Sequence, residues 1–213
     1  MLYIKENYEL LYGRTPDASA YGKPSDLAVK ITGILPGGKI LDLGAGDGRQ
    51  ALYLAAQGFE VTAVDLSEAA LEKLQRLAAQ QGLKITTELA DLNSWSMHNE
   101  YDAILAIAVL QHLKHDSALR ILNEIKARTN PGGVNIITAF TKTGDRYVVD
   151  RVEDPEAFYP EDNWLQEFYG DWHITEHSFI TTKEKRVLES TGLPMQSTIE
   201  RMFAQKPSPE ESN

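Results

Sequence analysis

A chain of 213 residues with 42% hydrophobic content is long enough for one α/β domain with a substantial core. It has no cysteine, which removes disulfides, thiolate metal sites and cysteine nucleophiles, and no apolar run near the ~20 residues that span a bilayer. A formal charge of −10, with only the short Lys183-Glu-Lys185-Arg186 basic patch, argues against DNA or RNA as a partner.

Residues 1–24 are rich in tyrosine (Tyr3, Tyr8, Tyr12, Tyr21) and punctuated by Gly13, Pro16, Gly22 and Pro24, and read as a partly helical cap over the site. Lacking a basic start and an apolar core, they do not form a secretory signal, so a cytoplasmic location is expected. Ser25 to Ile34 is predicted helical, with Ser25 as N-cap, and Leu35-Pro-Gly-Gly38 breaks it. Lys39 to Leu43 is strand one, Gly48 to Ala56 the next helix and Glu60 to Val64 strand two. Ser67 to Gln80 carries an apolar stripe of Leu71, Leu74, Leu77 and Ala78 behind a serine cap, with Gly82 as its stop.

Strand three falls at Leu83 to Leu89 and strand four at Tyr101 to Ile107. Asp116 is expected to cap a helix carrying Leu119, Leu122 and Ile125, and Asn130-Pro-Gly-Gly133 is a turn before strand five, Val134 to Phe140. Strands alternating with helices imply a parallel sheet. Tyr159 to Tyr169 reads as a short helix. Trp172 to Thr182 and Ser197 to Ala204 read as an antiparallel edge hairpin, which brings the expected sheet to seven strands. Residues 205–213 are expected to be a disordered tail behind a single domain over 25–204.

The richest signal is Asp42-Leu-Gly44-Ala-Gly46-Asp-Gly48-Arg49, directly after an apolar strand. A strand running into a glycine-rich turn and a helix is where an open α/β sheet binds a nucleotide-like ligand. In the dinucleotide pattern G-x-G-x-x-G the third glycine would fall on Arg49, and the phosphate-cradling G-x-x-x-x-G-K-[ST] is absent. The expected rim is acidic (Asp42, Asp47, Asp65, Asp91) with Arg49 the nearby base, which suits a cationic ligand better than a pyrophosphate. S-adenosylmethionine fits, since it carries a sulfonium and an ammonium against one carboxylate. Asp65, closing strand two, is placed to accept from ribose hydroxyls, and Asp91 from an adenine amino group with Leu92 packing beside it. Ala106 and Ile107, ending strand four at the crevice, are placed for their backbone to meet the methionine part, and small Ala106 and Ala108 leave room there.

These segments resemble the class I S-adenosylmethionine-dependent methyltransferases, and within them the tellurite-resistance TehB-like group. The resemblance rests on Ile40 to Arg49, Val61 to Ser67 with Asp65-Leu66, Gly48 to Gly58, Asp91-Leu-Asn93, Asn130 to Gly133 and Leu165 to Trp172. It implies a doubly wound, Rossmann-like domain that moves a methyl group onto a small acceptor, such as a chalcogen oxyanion, a selenol or a thiol. Some members of the group have a late His-Arg pair assigned to the acceptor. Here that region reads Lys185-Arg186-Val, without the pair. An alcohol or amine acceptor would need a base, for which His112, Asp145 and Tyr8 are the candidates. An oxyanion would need a cation, for which Arg146 is favoured over Arg14 and Arg186. Two other readings stay open: a non-catalytic cofactor-binding sensor or subunit, and an NAD-linked oxidoreductase, against which Arg49 argues. No metal site is expected, because His112 with His115, and His173 with His177, lack a third ligand. The acceptor and the oligomeric state are not legible.

Overall fold

The computed structural model describes Tyr12, Ser19, residues 22–187 and residues 191–208. The described chain forms α1 (Asp26–Lys30), β1 (Lys39–Leu43), α2 (Arg49–Ala56), β2 (Glu60–Asp65), α3 (Glu68–Gln80), β3 (Ile85–Leu89) and β4 (Tyr101–Ala106). There follow α4 (His115–Arg128), β5 (Thr129–Gly144), α5 (Asp145–Glu153), α6 (Trp164–Phe168), β6 (His173–Val187) and β7 (Pro194–Gln205). Short 3₁₀ turns occupy Ile31–Gly33 and Leu110–His112.

Caps account for two of the helix starts. Ser25 accepts from the Ala28 amide at 3.1 Å and Ser67 from the Ala70 amide at 3.1 Å, each satisfying a donor the first turn leaves orphaned. The stripe expected on α3 is buried as predicted.

One sheet of seven strands runs β3-β2-β1-β4-β5-β7-β6. The first five are parallel, and β7 pairs antiparallel to both β5 and β6, so the mostly parallel sheet with an antiparallel edge hairpin is borne out. Successive side chains along a strand point to opposite faces. Ile40, Ala103 and Leu105 therefore meet Leu27, Leu54 and Leu74 from α1, α2 and α3. Leu41, Ile104 and Ile137 meet Ile121, Leu122 and Ile125 of α4 on the other face. Strand order reverses between β1 and β4, which opens a crevice at their carboxyl ends.

Several expectations need correction. Lys114, not Asp116, holds the cap position of α4, with Asp116 in the first turn. Asn130-Pro-Gly-Gly133 is not a separate turn but an irregularity inside β5, where the register with β4 steps from Tyr101↔Thr129 to Ala103↔Val134. The bulge is held by the chain end: Gly132 N donates to Lys206 O at 3.0 Å and Lys206 N to Gly133 O at 2.8 Å. The expected tail therefore does not begin at 205, because Gln205 closes β7 and Lys206 Nζ also donates to Thr129 O at 2.7 Å. Residues 209–213 lie outside the described residues, as does nearly all of the expected cap over 1–24. The helix expected over 159–169 shrinks to α6, where Trp164, Phe168 and Tyr169 pack ring against ring. Helix α5 had no sequence signal, because none of its residues is buried and apolar periodicity had nothing to record.

Candidate functional site

A cavity of about 310 Å³ sits at the carboxyl ends of the parallel strands. Each strand end contributes: Asp42 and the glycine turn from β1, Asp65 to Ser67 from β2, Ala90 to Asn93 from β3, Ile107 to Leu113 from β4, and Phe140 with Arg146 from β5 and α5.

The glycine turn is fixed from below. Gly44 N and Ala45 N both donate to Val64 O, at 2.8 and 3.1 Å. Gly44 and Gly46 take φ of +67° and +56°, a region costly for a side chain. The surroundings also require glycine: a Cβ at Gly46 would lie 2.5 Å from the Tyr12 hydroxyl, and one at Gly44 would run into Val109. Tyr12, one of the tyrosines of the expected cap, is buried and lines the cavity.

Asp65 does two things at once. Its Oδ2 accepts from Gly46 N at 2.7 Å and its Oδ1 from Ser67 N at 2.9 Å, so it ties the β1 turn to the start of α3 while lining the cavity. Leu66, Asp91 and Leu92 are there too. Asp91 Oδ1 accepts from the amide and the side chain of Asn93, both at 2.9 Å. Arg120 of α4 clamps the loop by donating to Leu92 O at 2.8 Å and Trp95 O at 2.6 Å. Nothing local in the sequence marks Arg120, since it reaches the loop across 28 residues of chain.

Asp42 is buried, and its Oδ2 has no hydrogen-bond partner among the described residues. Burial pushes its carboxyl up to about 7, Asp65 adds to the rise, and Arg49 opposes it. An orphaned acceptor on a cavity wall calls for a donor from a ligand. The raised value also fixes a sign. Below pH 4 the group is protonated folded and unfolded. As pH climbs towards 7 the unfolded chain ionises first, so the empty protein loses stability over that window and the loss then levels off. Asp42→Asn is expected to flatten this slope, a difference on the order of 3–4 kcal/mol across pH 4.5–8. Urea unfolding at several pH values checks it, and parallel slopes in both proteins would show that Asp42 does not titrate there.

Three sequence expectations fail on position. Asp47 is not on the rim: it is 1% exposed and paired with Lys73 Nζ at 2.8 Å, with Ser19 Oγ donating to its other oxygen at 2.7 Å. Ala106 is sealed in the core, whereas Ile107 and Ala108, expected beside it, do line the cavity. Asp145 is not in the cavity wall either, because its Oδ2 accepts from Gln196 N at 2.9 Å and anchors the edge hairpin. Tyr8 and Arg14 lie outside the described residues.

His112 and Arg146 do reach the cavity. Burial and then Arg146 push the imidazole of His112 down to about 4, against the pull of Asp150, so it is neutral at pH 7. Gln111 Nε2 lies 2.9 Å from His112 Nε2 and donates to Ala108 O at 2.7 Å. Ala108 itself holds φ +56° without being glycine, and its amide donates to Thr138 Oγ1 at 2.8 Å. Arg146 stacks 4.2 Å over the Phe140 ring. Its Nε donates to Asp150 Oδ2 at 2.9 Å and to the Tyr159 hydroxyl at 3.2 Å. Elsewhere Asp102, at the amino end of β4, accepts from Lys39 N at 2.7 Å and Asn130 Nδ2 at 2.8 Å. His177 pairs with buried Glu200 at 2.8 Å, and no group of three metal-ligand side chains occurs among the described residues.

A doubly wound sheet with its ligand crevice at the β1–β4 reversal, an acidic ribose-type residue ending β2 and a glycine turn after β1 defines a class I methyltransferase fold. The family model described as tellurite resistance protein TehB matches residues 17–184, and the chain belongs to that family. The crystal structure of TehB from Haemophilus influenzae superposes with a TM-score of 0.75 at 28% identity, covering 93% of this chain and 67% of that one. By sequence, a probable S-adenosyl-L-methionine-dependent methyltransferase TehB of Haemophilus influenzae is 34% identical over 140 residues, 66% of this chain and 48% of that protein. Hemagglutinin 1 of Eikenella corrodens is 31% identical over 169 residues, 79% of this chain and 55% of that protein. The chain thus spans about half the length of the curated relatives it matches. No helix among the described residues is long and apolar enough to cross a membrane.

Proposed function

We propose that this chain binds S-adenosylmethionine in the crevice and catalyses methyl transfer to a small acceptor of the chalcogen class: a selenium or tellurium oxyanion, a selenol or a thiol. The carrying observation is the orphaned Asp42 Oδ2 on the wall of a cavity that also holds Asp65 and Asp91. A cationic ammonium supplies the donor that Asp42 lacks. The remaining acceptor capacity of Asp65 suits ribose hydroxyls, and Asp91 with Leu92 suits an adenine. The group would bring an activated methyl on a sulfonium. What remains for the protein is to align the acceptor and exclude water. Tyr12, Val109, Leu113 and Phe140 supply apolar wall to the cavity.

Membership of the TehB family supports the acceptor class, and the absence of cysteine excludes a mechanism that parks a metalloid on enzyme thiolates. The expected result is S-adenosylhomocysteine binding in the micromolar range by calorimetry, with NAD weaker. Headspace mass spectrometry should find methylated selenium or sulfur from one of a panel of selenite, tellurite, selenols and thiols. Arg146→Ala is expected to lower that product at least about tenfold, because the guanidinium braces Phe140 and the α5 wall. Tighter binding of NAD than of S-adenosylhomocysteine would overturn the cofactor. Cofactor binding with no methylated product from any acceptor would leave a non-catalytic sensor or subunit.

A further inference from the structure

The acceptor end of the cavity holds a pattern of charge and hydrogen bonding that narrows the substrate, on the reading of the cavity as a methyl-transfer site. Arg146 and Arg49 are the described arginines on the cavity wall, and Arg49 lies close enough to Asp42 to offset its raised pKa. The charge of Arg146 is already matched by carboxylates. Asp150 takes its Nε at 2.9 Å and Glu184 its Nη1 at 3.4 Å. The second cation of the cluster, Arg186, is spent on Asp150 Oδ1 at 3.0 Å. Two guanidiniums thus face two carboxylates, and the Tyr159 hydroxyl fills a further place by donating to Asp150 Oδ2 at 2.5 Å. An oxyanion entering here would gain no uncompensated positive charge from the arginines, only that of the sulfonium, and would lose its water.

Gln111 makes the opposite demand. It is 6% exposed, lines the cavity, and uses both bonds of its Nε2 on Ala108 O and His112 Nε2. Its Oε1 has no partner among the described residues. A buried amide oxygen without a donor is costly, and a ligand bearing an O–H or N–H relieves it. An anionic group placed against the same oxygen is repelled.

The chemistry of the neighbours selects the nucleophile. His112 is too weak a base at about 4 to take a proton from an alcohol or an ammonium. Burial holds the Tyr159 hydroxyl protonated, and Asp150 adds to this while Arg146 opposes it. No strong base therefore faces the acceptor among the described residues. A thiol needs none, because even the small thiolate fraction present near neutral pH is strongly nucleophilic.

We infer that the acceptor is a small thiol, otherwise uncharged, with a hydrogen-bond donor on its body that Gln111 Oε1 receives. The thiol proton leaves to water. The sulfur lone pair then forms the new S–C bond as the methyl–sulfonium bond breaks, its electron pair staying on the departing sulfur. The products are the methyl thioether, S-adenosylhomocysteine and one proton.

The test is a matched panel, read as S-adenosylhomocysteine formed by the full chain: 2-mercaptoethanol, ethanethiol, 3-mercaptopropionate, selenite and tellurite. With rates referred to thiolate concentration, 2-mercaptoethanol is expected to exceed ethanethiol in kcat/KM by about fivefold, the worth of one hydrogen bond. It should exceed 3-mercaptopropionate and both oxyanions by at least about tenfold. Gln111→Leu and the longer Gln111→Met are each expected to bring the ratio of 2-mercaptoethanol to ethanethiol to about one. Calorimetry with S-adenosylhomocysteine would show that both variants are folded and loaded. Preference for an anionic acceptor, or a ratio unchanged by both substitutions, overturns the inference. Cofactor binding with no thiol turnover also overturns it and leaves the cofactor assignment standing. A wild-type chain that binds no S-adenosylhomocysteine overturns the methyl-transfer reading beneath it.

Discussion

Lys73→Met is expected to destabilise the protein by about 3–5 kcal/mol. Lys73 is 3% exposed on α3, and its ammonium meets Asp47, itself 1% exposed, at 2.8 Å. Removing the cation leaves a buried carboxylate beneath the glycine turn without its counter-charge, although Ser19 Oγ still donates to it at 2.7 Å. The pair is costly to break and worth little against an apolar replacement of both members. The double variant Asp47→Asn/Lys73→Met is therefore expected to recover most of the loss. Urea unfolding of the three proteins at pH 7 measures it. A loss below about 1 kcal/mol for the single variant would mean that water reaches Asp47 and that the pair behaves as a surface ion pair.

The second large effect is on ligand binding. Asp65→Ala is expected to weaken S-adenosylhomocysteine binding by about 2–4 kcal/mol, or roughly 30- to 1,000-fold. Part of that is the lost ribose contact. The rest comes from the turn itself, because Gly46 N and Ser67 N lose their acceptor together. Asp65→Asn separates the two contributions. It keeps one oxygen for a backbone amide but turns the other position into a donor, which disagrees with a second amide. Its affinity should fall between those of wild type and Asp65→Ala. Calorimetry decides, and unchanged affinity in Asp65→Ala would place the ribose elsewhere.

Local signals carried the sequence reading wherever an element depends on its own residues. Serine caps, a glycine stop and an apolar stripe marked the ends of α3 within a residue, whereas α1, also capped by a serine, stops at Lys30 and gives way to a 3₁₀ turn. Alternation of short apolar runs with helices implied the parallel sheet, and the motif from Asp42 to Arg49 located the crevice. The order of the strands follows from the same alternation, because right-handed crossovers leave few ways to lay such units side by side.

Tertiary structure decided whatever depends on partners distant in the chain. Asp42 and Asp47 both flank glycines in one turn, yet one keeps an orphaned oxygen on the cavity wall and the other is consumed by Lys73, which lies 26 residues on. Arg146 was legible as a cation near the acceptor. That its charge is already matched by Asp150 and Glu184 was not, since Glu184 arrives from the edge hairpin. Asp145, its neighbour in sequence, points its carboxylate to the amide of Gln196 instead. Residue type and spacing determined the fold, because backbone propensity and hydrophobic period act locally. The protonation and availability of each charged group were settled only by burial and by the groups that long-range packing brought against it.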